Sequence, residues 1–260
     1  MTLSFSKYQG TGNDFIMIDA TQNSAFSLNN EEISLLCDRR FGVGADGLII
    51  IYKEKGVDFR MQYHNADGSQ SFCGNGARCA VHFAHSLKLI EEKAVFLAID
   101  GLHEATMKNN MISLKMNDVE EIFHGKDFYT LDTGSPHYVQ FAEHIDSINM
   151  VDFGSKIRYS PTYKAQGINV NVAEIMDKNQ LKIRTYERGV ENETYSCGTG
   201  ATAVALVYGK VYDKDKKEIA VDIEVKGGNL KVEAKRKNDS FYSIYLIGPA
   251  QKVFEGTYKM

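Results

Sequence analysis

The distribution of hydrophobic residues along the chain predicts a protein built mainly from β-strands. Short runs of alternating or β-branched hydrophobic residues recur throughout, separated by turn residues. In the first half the predicted strands are 15–19, 48–52, 59–64, 95–99 and 112–116. In the second half they are 129–132, 168–173, 182–186, 219–225, 230–234 and 242–247. Helical patterns are few, and we predict helices at about 31–40, 76–88 and 198–211.

Two of the predicted helices, 76–88 and 198–211, carry apolar residues on almost every side. A helix that is hydrophobic all round is buried all round. We therefore expect strands to wrap around each of these two helices.

The chain also contains an internal repeat. The motif C-G-x-G-A occurs at Cys73 and again at Cys197, 124 residues later, and each copy leads into one of the two apolar helices. The turns at Gly12 and Gly134 are 122 residues apart, and those at Gly101 and Gly228 are 127 apart. Three landmarks at nearly constant spacing indicate two homologous halves.

The predicted fold class is therefore α+β, with two pseudo-symmetric, strand-rich halves that each wrap a central buried helix. The active site is expected in the cleft between them. We place the halves at 1–118, which carries Cys73, and at 119–249, which carries Cys197. A C-terminal strand at about 250–260 is able to return to the first half.

Composition narrows the class of protein. Hydrophobic residues make up 43% of the chain and charged residues 25%, as in soluble globular proteins. A net charge of −4 gives no basic face for nucleic acid. The N-terminus lacks a signal-peptide pattern, and no apolar run approaches a membrane span. We expect a cytoplasmic protein whose four cysteines are reduced thiols.

Each C-G-x-G-A motif places a thiol at the start of a buried helix. Unpaired backbone N–H groups and the positive end of the helix dipole favour a thiolate there, and they also suit a carboxylate ligand. Two such helices could bind one carboxylate with a sulfur atom on either side of its α-carbon. One sulfur would remove the α-proton and the other would deliver a proton to the opposite face. Cys73 and Cys197 are therefore the candidate acid–base pair for inversion of an α-carbon.

Several other features have less specific interpretations. Cys37 and Cys79 lie within predicted helices and are interpreted as core residues. A metal site on Cys79, His82 and His85 would need a second pair of ligands, which the sequence does not show. The segment 42–47 matches G-x-G-x-x-G, but it follows a helix and precedes a strand, the reverse of the dinucleotide-binding order.

Taken together, the motifs resemble the diaminopimelate epimerase family over nearly the whole chain. The matching strings are G-T-G-N-D-F (10–15), R-R-F-G-V-G-A-D-G (39–47), N-A-D-G-S (65–69), C-G-N-G-A-R-C (73–79) and Y-E-R-G-V-E-N-E-T-x-S-C-G-T-G-A (186–201). The resemblance implies interconversion of LL- and meso-2,6-diaminoheptanedioate, in lysine and peptidoglycan precursor synthesis, without pyridoxal phosphate or metal. It also implies a small diamino dicarboxylate substrate, with no nucleic-acid or membrane partner, and a homodimer would fit the family.

The resemblance assigns roles to individual residues. Cys73 and Cys197 match the catalytic thiols, and His137 and Ser135 match supporting positions. The positions that match substrate-binding residues are Asn13, Asn65, Gly74, Asn75, Asn169, Glu187, Arg188, Gly198 and Thr199. An arginine suits the far carboxylate of such a substrate. Two positions depart from the family: Ser135 stands where Asn is common, and Gly47 where Gln is frequent.

Two alternatives stay open at this point. The same scaffold could racemise another amino acid, such as histidine or 4-hydroxyproline, although a monocarboxylate would leave Arg188 without a partner. In a different class, Cys73 and Cys197 could form a switchable disulfide in a non-catalytic redox or ligand-binding protein.

Overall fold

Strands, many of them with alternating buried and exposed residues, are the main regular structure in two units of the chain. The computed structural model describes residues 2–260. One unit extends to Leu114 and also contains Gly248–Met260, and the other is Lys115–Ile247.

The first unit contains two helices and seven strands before the chain enters the second unit, and it also contains the C-terminal strand. In chain order its elements are β1 (Thr2–Gly10), β2 (Asn13–Asp19), α1 (Asn30–Cys37), β3 (Gly47–Tyr52), β4 (Phe59–Asn65), α2 (Gly74–Ser86), β5 (Lys93–Ala98), β6 (Gly101–Lys108) and β7 (Met111–Met116), whose last residues enter the second unit.

The second unit is likewise built from strands and two α-helices. Its elements are β8 (Phe123–His124), β9 (Tyr129–Asp132), β10 (Pro136–Phe141), a 3-10 turn (Ile145–Ser147), α3 (Met150–Arg158), β11 (Asn169–Asp177), β12 (Gln180–Glu187), β13 (Asn192–Thr194), α4 (Gly198–Val211), β14 (Glu218–Val225), β15 (Gly228–Lys237) and β16 (Ser240–Pro249). The chain ends in β17 (Gln251–Lys259), which pairs antiparallel with β1 of the first unit.

Strand pairing repeats in the same order in both units. From β1 to β7 the successive pairs are antiparallel, parallel, antiparallel, parallel, antiparallel and antiparallel. The pairs β9–β10, β10–β11, β11–β12, β12–β14, β14–β15 and β15–β16 follow the identical series. Because parallel neighbours need a crossover connection, each parallel pair is joined by a segment that contains a helix or a long loop. The predicted α+β fold with two strand-rich halves is confirmed.

One helix lies at the centre of each unit. In α4 every residue from Gly198 to Gly209 is buried except Thr199. In α2 the side chains from Gly74 to Val81 are buried, whereas the last turn emerges and exposes His85. The expectation of burial on every side therefore holds for α4 and is wrong for the end of α2, where polar residues meet solvent.

Several elements differ from the sequence-based expectation. Helix α1 ends at Cys37 rather than at residue 40, because the Asp38 carboxylate accepts the backbone N–H groups of Arg40 and Phe41 and turns the chain. Helix α3 was not predicted, and neither were strands β1, β6, β8, β10 and β13. Within residues 2–260, no helix has both the length and the apolar character needed to cross a bilayer.

Candidate active site

Cys73 is the N-cap residue of α2. Its backbone is extended, and its sulfur accepts a hydrogen bond from the backbone N–H of Gly76 at 3.4 Å. The small residues Gly74 and Gly76 leave the first turn of the helix without bulky side chains. The thiol therefore lies at the positive end of a buried helix, as the sequence predicted.

Asn13 connects Cys73 to a carboxylate. It begins β2 after a tight turn in which Thr11 and Gly12 both have positive φ, 50° and 86°. Its Oδ1 accepts the Cys73 thiol at 3.5 Å and the Asn75 amide at 3.4 Å. Its Nδ2 donates to Oδ2 of Asp46 at 2.6 Å. The amide of Asn13 is thus held by partners on both sides.

Behind Asn13 lies a cluster of four charges. Arg39 binds both carboxylate oxygens of Asp14, at 3.0 and 2.7 Å, and also contacts Asp46 at 2.7 Å. The Lys7 ammonium completes the cluster 2.8 Å from Asp14 and also donates to the Gly44 carbonyl. Burial alone would raise the pKa of Asp14, but the hydrogen bonds from Arg39 and Lys7 outweigh it and lower that pKa well below its usual range. Two cations and two anions balance, so the cluster carries no net charge.

Arg78 and Cys79 of α2 and Cys37 of α1 are buried side chains, and the two cysteines have raised pKa values. Arg78 is fully buried, donates to Thr11 at 3.0 Å and to the Pro249 carbonyl at 3.4 Å, and has no carboxylate partner among residues 2–260. Complete burial raises the pKa of Cys79 far above its usual range. Burial likewise raises the pKa of Cys37 to about 12. The interpretation of these two cysteines as core residues agrees with their burial.

Asn65 is the last residue of β4, and its side chain forms hydrogen bonds with residues of the turn that follows the strand. Its Nδ2 donates to Ser69 and Ser71, and its Oδ1 accepts the Tyr63 hydroxyl at 3.0 Å. Gly47 pairs with Asn65 across the strands. A Cβ at Gly47 would lie 2.5 Å from the Tyr63 ring, so the tyrosine occupies the space of a side chain at that position.

In the second unit Cys197 is the N-cap residue of α4 and is 6% exposed. Its sulfur lies 3.4 Å from the Thr199 hydroxyl, which is 2.9 Å from Nε2 of His137. Nδ1 of His137 lies 3.1 Å from the Asn171 amide. Burial, with a smaller contribution from the charge of Arg188, lowers the pKa of His137 to about 3, so the ring is neutral.

Ser135, Asn169 and Arg188 form a third group. The Ser135 hydroxyl accepts from Asn169 at 2.9 Å and from the Arg188 guanidinium at 3.4 Å. Oδ1 of Asn169 accepts the backbone N–H of Arg188 at 2.8 Å. Arg188 also donates to the Gln166 carbonyl at 2.9 Å and has no carboxylate partner within residues 2–260. Glu187 is the last residue of β12, next to this group.

The structure thus brings the predicted residues together in local sets within each unit. Asn13, Asn75 and Cys73 form one set, and His137, Thr199 and Cys197 form another. Gly74 and Gly198 are the first residues of α2 and α4. The residues that the sequence analysis missed are Asp46, Arg39, Arg78, Asn171 and Tyr63. Arg39, Asp46 and Arg78 stand in the strings quoted above but were given no role there, and Asn171 had a signal because it alternates with Asn169 in an otherwise apolar stretch.

The metal interpretation gains no support. Among residues 2–260, no three His, Cys, Asp or Glu side chains are grouped closely enough to ligate one ion. All four cysteines are present as thiols.

Comparison with known proteins identifies the family. The family model described as diaminopimelate epimerase matches residues 5–120 and 129–253. A diaminopimelate epimerase from Flavobacterium psychrophilum is 49% identical, over 96% of this chain and 98% of the relative. One from Chlorobaculum tepidum is 39% identical, over 95% and 98% respectively. The crystal structure of a phenazine biosynthesis protein of the PhzF family from Bacillus anthracis has the same fold, with a TM-score of 0.79, 16% identity and full coverage of both chains. The chain belongs to the diaminopimelate epimerase family.

Proposed function

We propose that this protein is an isomerase that interconverts LL- and meso-2,6-diaminoheptanedioate by inverting one α-carbon, a step of lysine and peptidoglycan precursor synthesis. The observation that carries the proposal is the pair of cysteines at the N-caps of α2 and α4, at matched positions of two units with the same order of strand pairing. Relatives of nearly the same length that are named diaminopimelate epimerase support the choice of substrate.

The proposed mechanism needs only proton transfers. One sulfur, as the thiolate, takes the α-proton from the substrate, and the other, as the thiol, gives its proton to the opposite face of the same carbon. After one inversion the two sulfurs have exchanged protonation states, and no other atom is consumed. Cys73 and Cys197 are the groups that we assign to these roles.

The reacting carboxylate is assigned to the first turns of the two helices. Backbone N–H groups of Gly74, Asn75, Gly198 and Thr199 are the donors expected for it. As the α-carbon loses its proton, negative charge moves onto this carboxylate, and fixed N–H groups stabilise that charge without reorganisation. Fixed backbone N–H donors are the type that carbanion chemistry requires, and this supports the assignment.

The distal end of the substrate is assigned to the Ser135, Asn169 and Arg188 group. A guanidinium that lacks a carboxylate partner is suited to bind a carboxylate in two parallel hydrogen bonds. Asn169 fixes the backbone of Arg188, while Ser135 contacts its guanidinium. Glu187, Asn13 and Asn65 complete the proposed polar set for the ammonium groups and the remaining oxygens.

The direct test is hydrogen exchange at the α-carbon. Incubation of the protein with LL-diaminopimelate in deuterated water under reducing conditions should yield the meso isomer with one deuterium at the inverted α-carbon. Product is followed by chiral chromatography and mass spectrometry. Absence of exchange in folded protein with intact thiols would contradict the proposal.

Substrate choice is tested separately with Arg188→Gln. Loss of the charged hydrogen bonds should raise KM for diaminopimelate roughly tenfold to a hundredfold, with a smaller change in kcat. Arg158→Gln, in α3, is the matched control, because Arg158 already pairs with Glu191 at 3.2 Å. Faster exchange with histidine or 4-hydroxyproline than with diaminopimelate would favour the alternative racemase.

Location and assembly belong to the same proposal. We place the reaction in the cytoplasm, where a reducing environment keeps cysteines as thiols. A homodimer is the expected assembly, and light scattering of the purified protein measures it directly.

A further inference from the structure

We infer that Asp46 is a positioning residue for the reaction: it holds the NH2 group of Asn13, so that Asn13 presents its carbonyl oxygen to the reacting end of the substrate. A carbonyl oxygen only accepts hydrogen bonds, and the group that it recognises there is the ammonium on the reacting α-carbon. The inference rests on the proposed function, which includes Asn13 in the polar set without choosing its partner.

The direction of the Asn13 amide is fixed first at its nitrogen. Nδ2 lies 2.6 Å from Oδ2 of Asp46. A carboxylate only accepts hydrogen bonds, so the side of the amide that faces it is the NH2 group. The other carboxylate oxygen, Oδ1, accepts from Arg39 at 2.7 Å. Rotation of the Asp46 carboxylate away from Asn13 would therefore break a charge-assisted hydrogen bond.

The oxygen of the Asn13 amide faces the start of α2. Oδ1 accepts from the Asn75 amide at 3.4 Å and from the Cys73 thiol at 3.5 Å. Reversal of the Asn13 amide would place Oδ1 against the Asp46 carboxylate and one NH2 group against another at Asn75. Both contacts would be repulsive, so the observed orientation is favoured at each end. The two contacts to Oδ1 are longer than a typical N–H···O bond, which leaves the oxygen able to accept from a closer donor.

Asp46 is itself tied to the strand that carries Asn13. Its backbone N–H donates to the backbone carbonyl and to Oδ1 of Asp14, both at 3.0 Å. Its Oδ2 accepts the backbone N–H of Asp14 at 3.2 Å. Asp14 is held in turn by Arg39 and Lys7. The Asp46 side chain is 43% exposed, yet these contacts on both sides keep it in one place.

The chemistry of the substrate selects the partner of Asn13. Contacts to Cys73 and Asn75 place Asn13 at the end where the α-carbon reacts. The carboxylate at that end is assigned to backbone N–H groups, and an acceptor does not suit it. The ammonium has three N–H donors and no acceptor, so it is the substituent that matches Oδ1. With carboxylate and ammonium both held, the α-hydrogen has a defined direction.

The orientation of Asn13 is tested without substrate by NMR of the 15N-labelled protein. The side-chain NH2 signals of Asn13 are identified by their loss in Asn13→Asp. A short hydrogen bond to a carboxylate should give one of the two N–H signals a downfield position and slow exchange with water. In Asp46→Ala this signal should move upfield, towards the positions of exposed side-chain amides, while backbone signals outside the site stay in place. If Asp46→Ala does not fold, Asp46→Asn gives the same comparison.

Exchange of the two side chains tests the consequence for turnover of LL-diaminopimelate. Asp46→Asn should lower kcat/KM about tenfold, because Arg39 retains the amide oxygen and the new NH2 group then faces that of Asn13. Asn13→Asp should lower it about a hundredfold, because two carboxylates then face each other at hydrogen-bond distance. The double variant should be at least about tenfold faster than Asn13→Asp alone. Its new amide donates to the new carboxylate, which again offers an acceptor to the substrate.

Asp19→Asn is the matched control. Asp19 lies at the other end of the same strand, β2, and its carboxylate accepts the backbone N–H of Thr21 at 2.9 Å. This substitution should leave kcat/KM within about twofold and the Asn13 amide signals unchanged.

The outcomes are distinct. Losses that add in the double variant would overturn the inference, since a carboxylate needed only for the fold is not replaced by this exchange. Asn13 amide signals that do not respond to loss of the Asp46 carboxylate would overturn it as well. Absence of α-proton exchange in the natural protein would count against the proposed function, and the amide signals would still decide whether Asp46 orients Asn13.

Discussion

Gly200 and Gly76 occupy the same position in the two C-G-x-G-A motifs, and substitution by alanine should have very different effects at each. A Cβ at Gly200 would lie 2.4 Å from Oδ1 of the buried Asn171. A Cβ at Gly76 would meet the end of the Ile49 side chain at 3.0 Å, and that side chain can move. The pair is therefore a matched test of whether Asn171 is held rigidly.

The magnitude follows from the groups that must move. In Gly200→Ala, overpacking costs about 1 to 3 kcal/mol. Displacement of Asn171 leaves at least one buried hydrogen-bonding group unsatisfied, at about 1 to 3 kcal/mol. Greater helix propensity returns roughly 1 kcal/mol. The middle of these ranges gives a net loss in unfolding free energy of about 3 kcal/mol, whereas Gly76→Ala should change it by less than about 1 kcal/mol.

Calorimetry measures the difference. The transition temperature of Gly200→Ala should fall by roughly 5 to 10 °C, and that of Gly76→Ala by no more than about 3 °C. If the two variants melt together, or if Gly76→Ala is the less stable one, Asn171 is not the rigid element that its hydrogen bonds to His137, Tyr138 and Thr185 indicate.

Three further predictions concern the thiols and two titrating groups. Cys73→Ala and Cys197→Ala should each slow α-proton exchange about a thousandfold, whereas Cys37→Ala should retain activity; equal losses in all three would indicate a role in folding. The pKa of Asp14 is lowered in the folded state, so its contribution to stability is complete above about pH 4 and is lost as pH falls. Melting temperatures measured against pH should therefore fall more steeply below about pH 4 for the natural protein than for Asp14→Asn, and parallel curves would contradict this. The ring of His137, with a pKa of about 3, should give NMR signals that do not shift between about pH 5 and 8, and a midpoint near the ordinary value of about 6.5 would contradict its burial as described.

The pattern of hydrophobic residues was sufficient to predict most strands and the two central helices. Those elements bury continuous apolar faces, so local sequence reports their environment directly. Helix α3 was missed because only Met150 and Gly154 of its nine residues are fully buried. The repeat contained a usable signal, since α3 follows β10 as α1 follows β2. Strand β1 was missed because a lysine, Lys7, occupies a buried position that its ion pair with Asp14 makes tolerable.

The sequence was sufficient to predict which residues belong to the candidate site. It was not sufficient to predict which hydrogen bonds they form. Both cysteines and the surrounding amides stand in recognisable strings. The partners that orient them come from distant segments: Asp46 reaches Asn13 across 33 positions, and His137 reaches Thr199 across 62. Such convergence depends on the folded arrangement of strands, which spacing along the chain does not encode. Arg78 could not be assigned for the same reason, because its partners lie at opposite ends of the sequence.

The contact between Gly47 and Tyr63 limits how this sequence can evolve. A glutamine at this position would place its Cβ 2.5 Å from the Tyr63 ring and 2.6 Å from the His64 carbonyl oxygen. Replacement of Gly47 alone is therefore blocked, and a smaller residue at Tyr63 would relieve only the first clash. We expect positions 47 and 63 to be epistatic, so a library that varies them one at a time should not accept a side chain at position 47.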